Sequence, residues 1–301
     1  MRRSFPLITW LVLAATLLLW SGNWIVARAV RDEIAPGIAT AGRLLIVLLI
    51  LLPFTLGNLL TKLKKTEKQA RKILLALGFF GGGLHLALQW LGLHYTTATS
   101  GILYLSLSPI FILLLARPLL GEPIGQRQWA GVAISFAGVV LIATQGQVRS
   151  FSFNIGDLMA IASMVMWASY TVFLRLRRDR LGTIELIVMV CLFGLVFVLP
   201  WAAWDILHGA RTSLTSNGTL AVLYSAFGSL LLAYAGWSYV VTRIGAARAG
   251  ATMHLMPGIG VVLSILFLGE YPNWYHGAGI ALILAGVVLS SSRASSAASS
   301  P

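Results

Sequence analysis

The chain has 301 residues, of which 58% are apolar and only 10% are charged, whereas an ordinary soluble domain is about 45–50% apolar and about 25% charged. The mean hydropathy of +0.86 is more than soluble cores could bury, so the composition excludes a soluble enzyme and predicts an all-α integral membrane protein. The net charge of +13 does not indicate a nucleic-acid partner, because the 22 basic residues form short groups between long neutral stretches. The single cysteine, Cys191, rules out an intrachain disulfide and a cluster of cysteine metal ligands.

The predicted membrane spans follow from the stretches that contain no Asp, Glu, Lys or Arg. Nine such stretches occur, at residues 4–27, 44–61, 73–116, 128–148, 158–174, 186–204, 212–242, 249–269 and 271–292. A helix needs about 20 residues to cross a bilayer, so the stretch 73–116 must turn back once, most simply at the polar run His94-Tyr95-Thr96-Thr97. The total becomes ten transmembrane helices.

Basic residues are distributed unevenly between the two ends of these predicted helices. With the N-terminus inside, seventeen of them lie in inside segments and four in outside segments, and Arg43 is the remaining one. This positive-inside bias predicts that both termini are cytoplasmic. The run Ala27-Arg28-Ala29 would suit a signal-peptide cleavage site, but the apolar stretch before it is too long for one and has a partner later in the chain.

The sequence matches itself when it is shifted by 147 to 148 residues. The shift aligns Trp20 with Trp167, Arg28 with Arg175, Pro109 with Pro257, and the Leu-Gly-Glu run 120–122 with 268–270. Each unit holds five predicted helices, an odd number, so the two copies must cross the membrane in opposite directions. We therefore predict two inverted five-helix repeats, residues 1–146 and 147–292, around a central cavity, followed by a disordered cytoplasmic tail at 293–301.

The doubled Pro…Leu-Gly-Glu…Gly…Gly-Val-Val pattern, the ten helices and the duplication resemble the drug/metabolite transporter superfamily, EamA type. Within that superfamily the chain is most similar to the bacterial aromatic amino acid exporters. The resemblance implies a multi-pass protein of the bacterial cytoplasmic (inner) membrane, with ten helices arranged as a basket around a central cavity. It also implies export of amino acids, aromatic ones (Phe, Tyr, Trp) first and Thr or Met as secondary substrates. Export of drugs or of another metabolite, such as a nucleotide sugar, is the alternative.

A polar stripe runs along the third predicted helix. Gly81, His85, Gln89 and Gly92 follow one another at spacings of four, four and three residues, which places them on one helix face. Histidine and glutamine are costly when they face lipid, so this face should point at a cavity or at another helix. The two interpretations are a substrate-binding surface and an interhelical hydrogen bond with glycines that permit close packing.

The remaining candidate lining residues are aromatic or polar side chains of other predicted helices. In chain order they are Trp20, Asn23, Trp24, Tyr104, Ser108, Trp167, Tyr170, Tyr234, Trp237 and His254. Trp20 and Trp167 occupy equivalent places in the two repeats, so we expect them to pack against an apolar or aromatic substrate group. For Trp24 the alternative is the aromatic belt at the headgroup level.

One arginine is predicted to lie inside the membrane. The second helix is expected to begin near Ile34, because Asp32, Glu33 and Pro36 mark a helix start better than Arg43 does. Arg43 must then extend its side chain to the membrane interface, cap backbone carbonyl groups, or bind the carboxylate of a substrate through its bidentate guanidinium. These interpretations stay open at the level of sequence.

The sequence shows neither a phosphate-binding glycine loop nor the HExxH and GxSxG motifs, so ATP-driven pumping and common intramembrane hydrolysis lose support. No catalytic residue, cofactor or metal is predicted. The expected partners are a small-molecule substrate and the lipid bilayer. The sequence does not decide the oligomeric state, and it is compatible with a monomer. The alternative from a different class is a membrane enzyme that uses His85 or His254 as an acid–base group, but no acidic residue is predicted near the midplane to assist it.

Overall fold

The computed structural model describes residues 6–120, 125–144, 146, 154–177, 179, 181–210, 212, 215–244, 252–253 and 255–291. The regular elements of these residues are helices, and they form ten helical segments that we number α1 to α10. The segments are α1 (Leu7–Ala29), α2 (Pro36–Lys64), α3 (Lys68–Leu77, Gly78–Leu84 and His85–Tyr95), α4 (Ala98–Leu103, Tyr104–Leu107 and Ser108–Leu120), α5 (Gln126–Ala143), α6 (Ile155–Arg175), α7 (Thr183–Leu207), α8 (Ser216–Tyr224, Ser225–Leu232 and Ala233–Ile244), α9 (Leu255–Leu268) and α10 (Trp274–Ser291). His254 and the tail 293–301 lie outside the described residues.

The predicted all-α membrane architecture is confirmed. Six of the segments, namely α1, α2, α3, α6, α7 and α8, contain helices long and apolar enough to cross a membrane, and shorter apolar helices lie within α5 and α9. The α2 helix begins at Pro36, where proline occupies a first-turn position whose N–H would have no helical partner. Arg43 therefore lies within a span, as predicted. The chain turns between Tyr95 and Ala98, at the polar run that the sequence indicated.

Packing between the helices follows the predicted inverted repeat. The α3 and α4 helices of the first repeat both pack on α6 of the second. The equivalent contacts with the repeats exchanged are also present, because α8 and α9 both pack on α1. The α2–α7 and α5–α10 pairs join each helix to its own counterpart. A π-helical stretch interrupts both α3, at Gly78–Leu84, and α8, at Ser225–Leu232, 147 residues apart at their starts. Such wide turns are rare, so their recurrence at equivalent places supports the duplication independently of sequence matching.

Small residues let paired helices approach closely. In the α5–α10 pair, a Cβ atom added to Gly138 would lie against the carbonyl oxygen of Gly279. The hydroxyl of Ser135 donates a hydrogen bond of 3.0 Å to the carbonyl oxygen of Ile283 across the same seam. Close backbone approach of this kind is the usual way in which helices associate in lipid, where no hydrophobic effect drives them together.

The outer surface of the bundle is apolar. Phe54 of α2 is 83% exposed and Leu207 of α7 is 81% exposed, as expected of side chains that face lipid. The interior holds the largest fully buried side chains, among them Trp24, Arg43 and Tyr104. Polar and aromatic groups therefore concentrate at the centre of the bundle, where the two repeats meet.

Candidate substrate cavity

A small cavity lies at the centre of the bundle, where both repeats contribute to its wall. Its lining residues are Trp20, Trp24, His85, Leu86, Gln89, Leu105, Trp167, Ser229, Tyr234, Met253 and Met256. The wall therefore combines an aromatic and aliphatic surface with a few polar groups, as is typical of small-molecule sites.

The aromatic part of the wall is formed by the two repeat-equivalent tryptophans. The ring centroids of Trp20 and Trp167 lie 5.3 Å apart with an interplanar angle of 77°, an edge-to-face contact between the repeats. Tyr234 completes the cluster, at 6.0 Å from Trp20 and 5.7 Å from Trp167. The indole N–H of Trp20 donates to the carbonyl oxygen of Ser229 at 3.1 Å, whereas the buried indole N–H of Trp167 has no hydrogen-bond partner within the described residues. The equivalent side chains thus share a surface but differ in their polar contacts.

The polar stripe of α3 forms interhelical hydrogen bonds and also lines the cavity. The Nδ1 atom of His85 lies 2.9 Å from the carbonyl oxygen of Ser163 in α6. A carbonyl oxygen can only accept, so Nδ1 carries the proton in the neutral ring and Nε2 is left as an acceptor. The hydroxyl of Ser163 donates in turn to the carbonyl oxygen of His85 at 3.2 Å. The imidazole is therefore held in one orientation, and its centroid lies 5.2 Å from that of Trp167.

A second hydrogen-bonded chain orients Gln89. The amide of Asn23 in α1 donates to Oε1 of Gln89 at 3.1 Å, and the hydroxyl of Ser225 in α8 donates to Oδ1 of Asn23 at 2.7 Å. Because Oε1 is occupied, the Nε2 amide group of Gln89 is the part of this side chain that remains free to donate. Three helices from both repeats thus hold Gln89 in place at the cavity wall.

Arg43 lies behind the cavity wall and is fully buried. One of its N–H groups caps the carbonyl oxygen of the lining residue Leu86 at 2.8 Å, which is the structural role that the sequence allowed. The guanidinium lies over the ring of Trp90, 5.4 Å from its centroid. Its Nε and Nη1 atoms have no hydrogen-bond partner among the described residues. An arginine at this depth costs about 2.5–3.5 kcal/mol even on the more lenient insertion scale, so unused donors there are unusual.

Other candidate residues lie near the cavity without lining it. Tyr170 packs at 5.2 Å against Trp167 and Trp237 packs at 5.3 Å against Trp20, and neither is among the residues that line the cavity. The hydroxyl of Ser108 contacts the sulfur of Met164 at 3.2 Å, and Tyr104 is fully buried beside Leu105. Trp24 is only 1% exposed and lines the cavity, a position inside the bundle rather than at its lipid surface.

Several lining residues had no sequence signal. Leu86, Leu105 and Met256 are apolar, and an apolar side chain in a membrane helix has the same appearance whether it faces a cavity, a neighbouring helix or lipid. Ser229 belongs to the π-helical stretch of α8, where the ordinary helical spacing does not predict which residues share a face.

The cavity is small in this structure. Its volume is about 30 Å³. A water molecule needs about 10–15 Å³ on the same measure, and sites for drug-sized ligands span about 300–1,000 Å³, so the cavity has to widen before a metabolite can enter. A larger hollow of about 350 Å³ opens at one end of the bundle and is lined by residues including Arg31, Asp32 and Asp205.

Polar contacts close the bundle at the end where α1 finishes. Arg28 donates to the carbonyl oxygen of Leu93 at 3.0 Å, and its Nε lies 3.6 Å from the carboxylate of Glu270, which follows α9. Nearby, the hydroxyl of Thr96 donates to the Asp157 carboxylate at 2.6 Å. The Arg28–Glu270 and Thr96–Asp157 contacts join the two repeats at this end.

Two ion pairs lie at the opposite end. Lys62 of α2 contacts Glu185 of α7 at 2.6 Å. In the loop between α6 and α7, partial burial acts to raise the pKa of Asp179, but hydrogen bonds from Arg177 and from the Leu181 amide outweigh it and lower that pKa. Hydrogen bonds among Arg177, Asp179 and Leu181 thus stabilise this loop, which precedes α7.

Inverted helical repeats with an aromatic and polar cavity between them are typical of membrane transporters. The comparisons with known proteins agree. The sequence matches the EamA-like transporter family over residues 7–144 and again over 154–292, and the chain belongs to that family. Family membership confirms the predicted transporter and the duplication, and it opposes the membrane-enzyme alternative that relied on His85 or His254.

Curated relatives span most of the chain. An uncharacterized transporter of Archaeoglobus fulgidus is 28% identical over 289 residues, which cover 95% of this chain and 98% of that protein. The uncharacterized transporter YyaM of Bacillus subtilis is 28% identical and is covered to 80%, with 81% of this chain. A protein of Streptantibioticus cattleyicolor named "Probable terminal-alkyne amino-acid exporter" is 28% identical over 67% of this chain and 66% of its own length. A crystal structure at 21% identity has the same fold, with a TM-score of 0.60 over 93% of this chain and 94% of that chain.

Proposed function

We propose that this transporter exports amino acids, aromatic ones in particular, by alternating access across the bacterial cytoplasmic membrane. In this proposal both termini are cytoplasmic, the repeats comprise residues 1–146 and 147–292, and transport follows the substrate gradient without ATP. The wall of the central cavity is the substrate-binding surface. The chemistry of that wall and the name of one relative support the proposal.

The observation that carries the proposal is the meeting of Trp20 and Trp167 at the cavity. An aromatic substrate ring that enters between the repeats replaces contacts that the two indoles and Tyr234 now make with one another. Ring contacts of this kind contribute about 0.5–1.5 kcal/mol beyond the burial of apolar area. The cluster therefore favours an aromatic side chain over an aliphatic one of similar size.

The polar side of the wall suits the head group of an amino acid. The free Nε2 atom of His85 is an acceptor for an ammonium group, because Nδ1 is engaged by Ser163. The Nε2 amide of Gln89 is a donor, because Oε1 is engaged by Asn23. An acceptor and a donor held on one helix face match a zwitterion, which carries a donor and an acceptor on adjacent atoms.

The small volume of the cavity fits a cycle in which the site widens towards one side of the membrane at a time. Helices equivalent by the repeat can exchange their contacts between two related arrangements, which is how inverted repeats produce alternating access. The Streptantibioticus cattleyicolor relative is named as an amino-acid exporter, and this supports the substrate class for the present chain.

Counterflow into proteoliposomes tests the proposal. Vesicles loaded with unlabelled tryptophan should accumulate labelled tryptophan, phenylalanine and tyrosine, with threonine and methionine carried more slowly. A substrate panel in which nucleotide sugars or cationic drugs move and every amino acid is excluded would overturn it. Rates measured with and without a pH gradient test the driving force, since transport down the substrate gradient alone should be unaffected.

His85→Ala and Gln89→Ala variants provide a second test within the same assay. Each should slow all amino acids alike, because the head group is common to them. Loss of one hydrogen bond of about 0.5–1.5 kcal/mol corresponds to a change of about two- to twelvefold. Variants that reach the membrane folded and transport at the parental rate would show that the stripe only packs helices.

A further inference from the structure

We infer that Arg43 is the residue that recognises the substrate carboxylate, and that the cavity selects carboxylate-bearing solutes over amides and amines of the same shape. The inference rests on the proposed function, since it names the chemical group that the central site requires. The guanidinium of Arg43 has hydrogen-bond donors that have no partner among the described residues.

Arg43 uses only part of its hydrogen-bonding capacity. The guanidinium has five N–H groups, and the structure uses one nitrogen, Nη2, to cap the carbonyl oxygen of Leu86. The Nε and Nη1 atoms are buried and have no hydrogen-bond partner among the described residues. Buried polar groups in proteins are nearly always satisfied, and an exception calls for a partner that binds at another stage.

The positive charge of Arg43 has no ion-pair partner among the described residues. The ion pairs found among the described residues all involve other side chains and lie towards the ends of the bundle. The groups that the structure places against the guanidinium of Arg43 are the carbonyl oxygen of Leu86 and the ring of Trp90, and neither carries a negative charge. The interior is therefore electropositive, which favours an anionic group and disfavours an organic cation.

Arg43 lies next to the cavity wall. Its Nη2 atom donates a hydrogen bond of 2.8 Å to the carbonyl oxygen of Leu86, and Leu86 lines the cavity. Trp90 covers one face of the guanidinium, which leaves the edge for hydrogen bonding. Widening of the cavity at Leu86 would bring a carboxylate to that edge, where a guanidinium donates two parallel hydrogen bonds to the two carboxylate oxygens.

The remaining cavity groups then have complementary tasks. Arg43 binds the carboxylate, the acceptor nitrogen of His85 faces the ammonium group, and Trp20 and Trp167 contact the side chain. A solute without a carboxylate leaves the buried cation uncompensated in a dry site. Such a site rejects the analogue strongly, because its own polar group remains unpaired.

Competition by a matched series of indole compounds tests the inference. Labelled tryptophan uptake into proteoliposomes is measured against unlabelled tryptophan, indole-3-propionate, tryptophanamide and tryptamine. The parental protein should be inhibited by the two carboxylates and at least tenfold less by the amide and the amine. Equal inhibition by all four compounds would overturn the role of Arg43 while leaving an exporter of aromatic solutes. Failure of tryptophan itself to be transported would instead overturn the proposed function.

Variants connect the selectivity to Arg43. Arg43→Gln should weaken tryptophan about ten- to hundredfold, as expected for a lost charged hydrogen bond, and should abolish the preference for tryptophan over tryptophanamide. Arg43→Lys should keep that preference with weaker binding, because it retains the charge and loses the fork. Arg243→Gln is the matched control: Arg243 also lies over an aromatic ring, that of Tyr239 at 4.9 Å, but it is exposed. Unchanged selectivity in a folded Arg43→Gln variant would overturn the inference.

Discussion

Replacement of Trp167 by leucine tests whether the aromatic cluster recognises the substrate side chain. Trp167 makes ring contacts at 5.2–5.7 Å with Trp20, Tyr170, Tyr234 and His85. Leucine keeps an apolar side chain at the wall but removes the aromatic face. The unpartnered indole N–H is removed as well, so no hydrogen bond within the described residues is lost with it.

The expected magnitude follows from the contact that a substrate ring would make. One aromatic pair contributes about 0.5–1.5 kcal/mol, which corresponds to a factor of about two to twelve. Trp167→Leu should therefore reduce tryptophan transport relative to threonine transport by about two- to twelvefold, measured as the ratio of initial uptake rates into proteoliposomes.

The control for this experiment is Trp237→Leu. Trp237 contacts Trp20 at the same centroid distance of 5.3 Å but does not line the cavity. It should lower protein stability without changing the tryptophan-to-threonine ratio. A Trp167→Leu protein that loses both substrates equally would refute the reasoning, because the tryptophan would then act only as a packing residue.

Three further predictions concern topology, helix packing and the closed end of the bundle. A Lys64→Cys variant in a Cys191→Ala background should not react with an impermeant reagent added to intact cells, because its loop is predicted to be cytoplasmic. Labelling from outside would show that the predicted orientation is wrong. Gly138→Ala should lower the melting temperature of the solubilised protein, because its Cβ would meet a backbone carbonyl of α10, whereas Gly57→Ala faces open space and should not. Equal stability of these two variants would contradict the seam. Arg28→Gln should raise labelling of a cavity cysteine from the α1 end by at most about fivefold, as expected for the loss of one partly buried ion pair of about 1 kcal/mol. Unchanged labelling would mean that this contact does not hold the end closed.

The sequence alone determined the fold class and the arrangement of the spans. In lipid every backbone polar group must be satisfied within its own helix, so the length of uncharged stretches is enough to predict spans. The start of α2 before Arg43 and the turn at His94–Thr97 depended on local helix signals, and both were confirmed. The repeat was visible because equivalent residues such as Trp20 and Trp167 keep a constant separation along the chain.

Local periodicity also predicted part of the cavity wall. His85 and Gln89 are four residues apart on one helix, so a single face carries both. Whether that face turned to a cavity or to a neighbouring helix was not decided by spacing. The structure places both side chains in interhelical hydrogen bonds and at the cavity wall, because the same edge of α3 meets α1 and α6 there.

Only the tertiary structure decided which side chains meet. Trp20 and Trp167 are 147 residues apart, and their edge-to-face contact depends on how α1 and α6 approach each other across the repeats. Tyr104 and Trp237 are aromatic and buried as several lining residues are, but they do not line the cavity. In a membrane bundle the apolar side chains of cavity, helix interface and lipid surface are chemically alike, so hydropathy does not separate them. Packing between distant helices does, because each side chain is assigned by the neighbours that the fold brings to it.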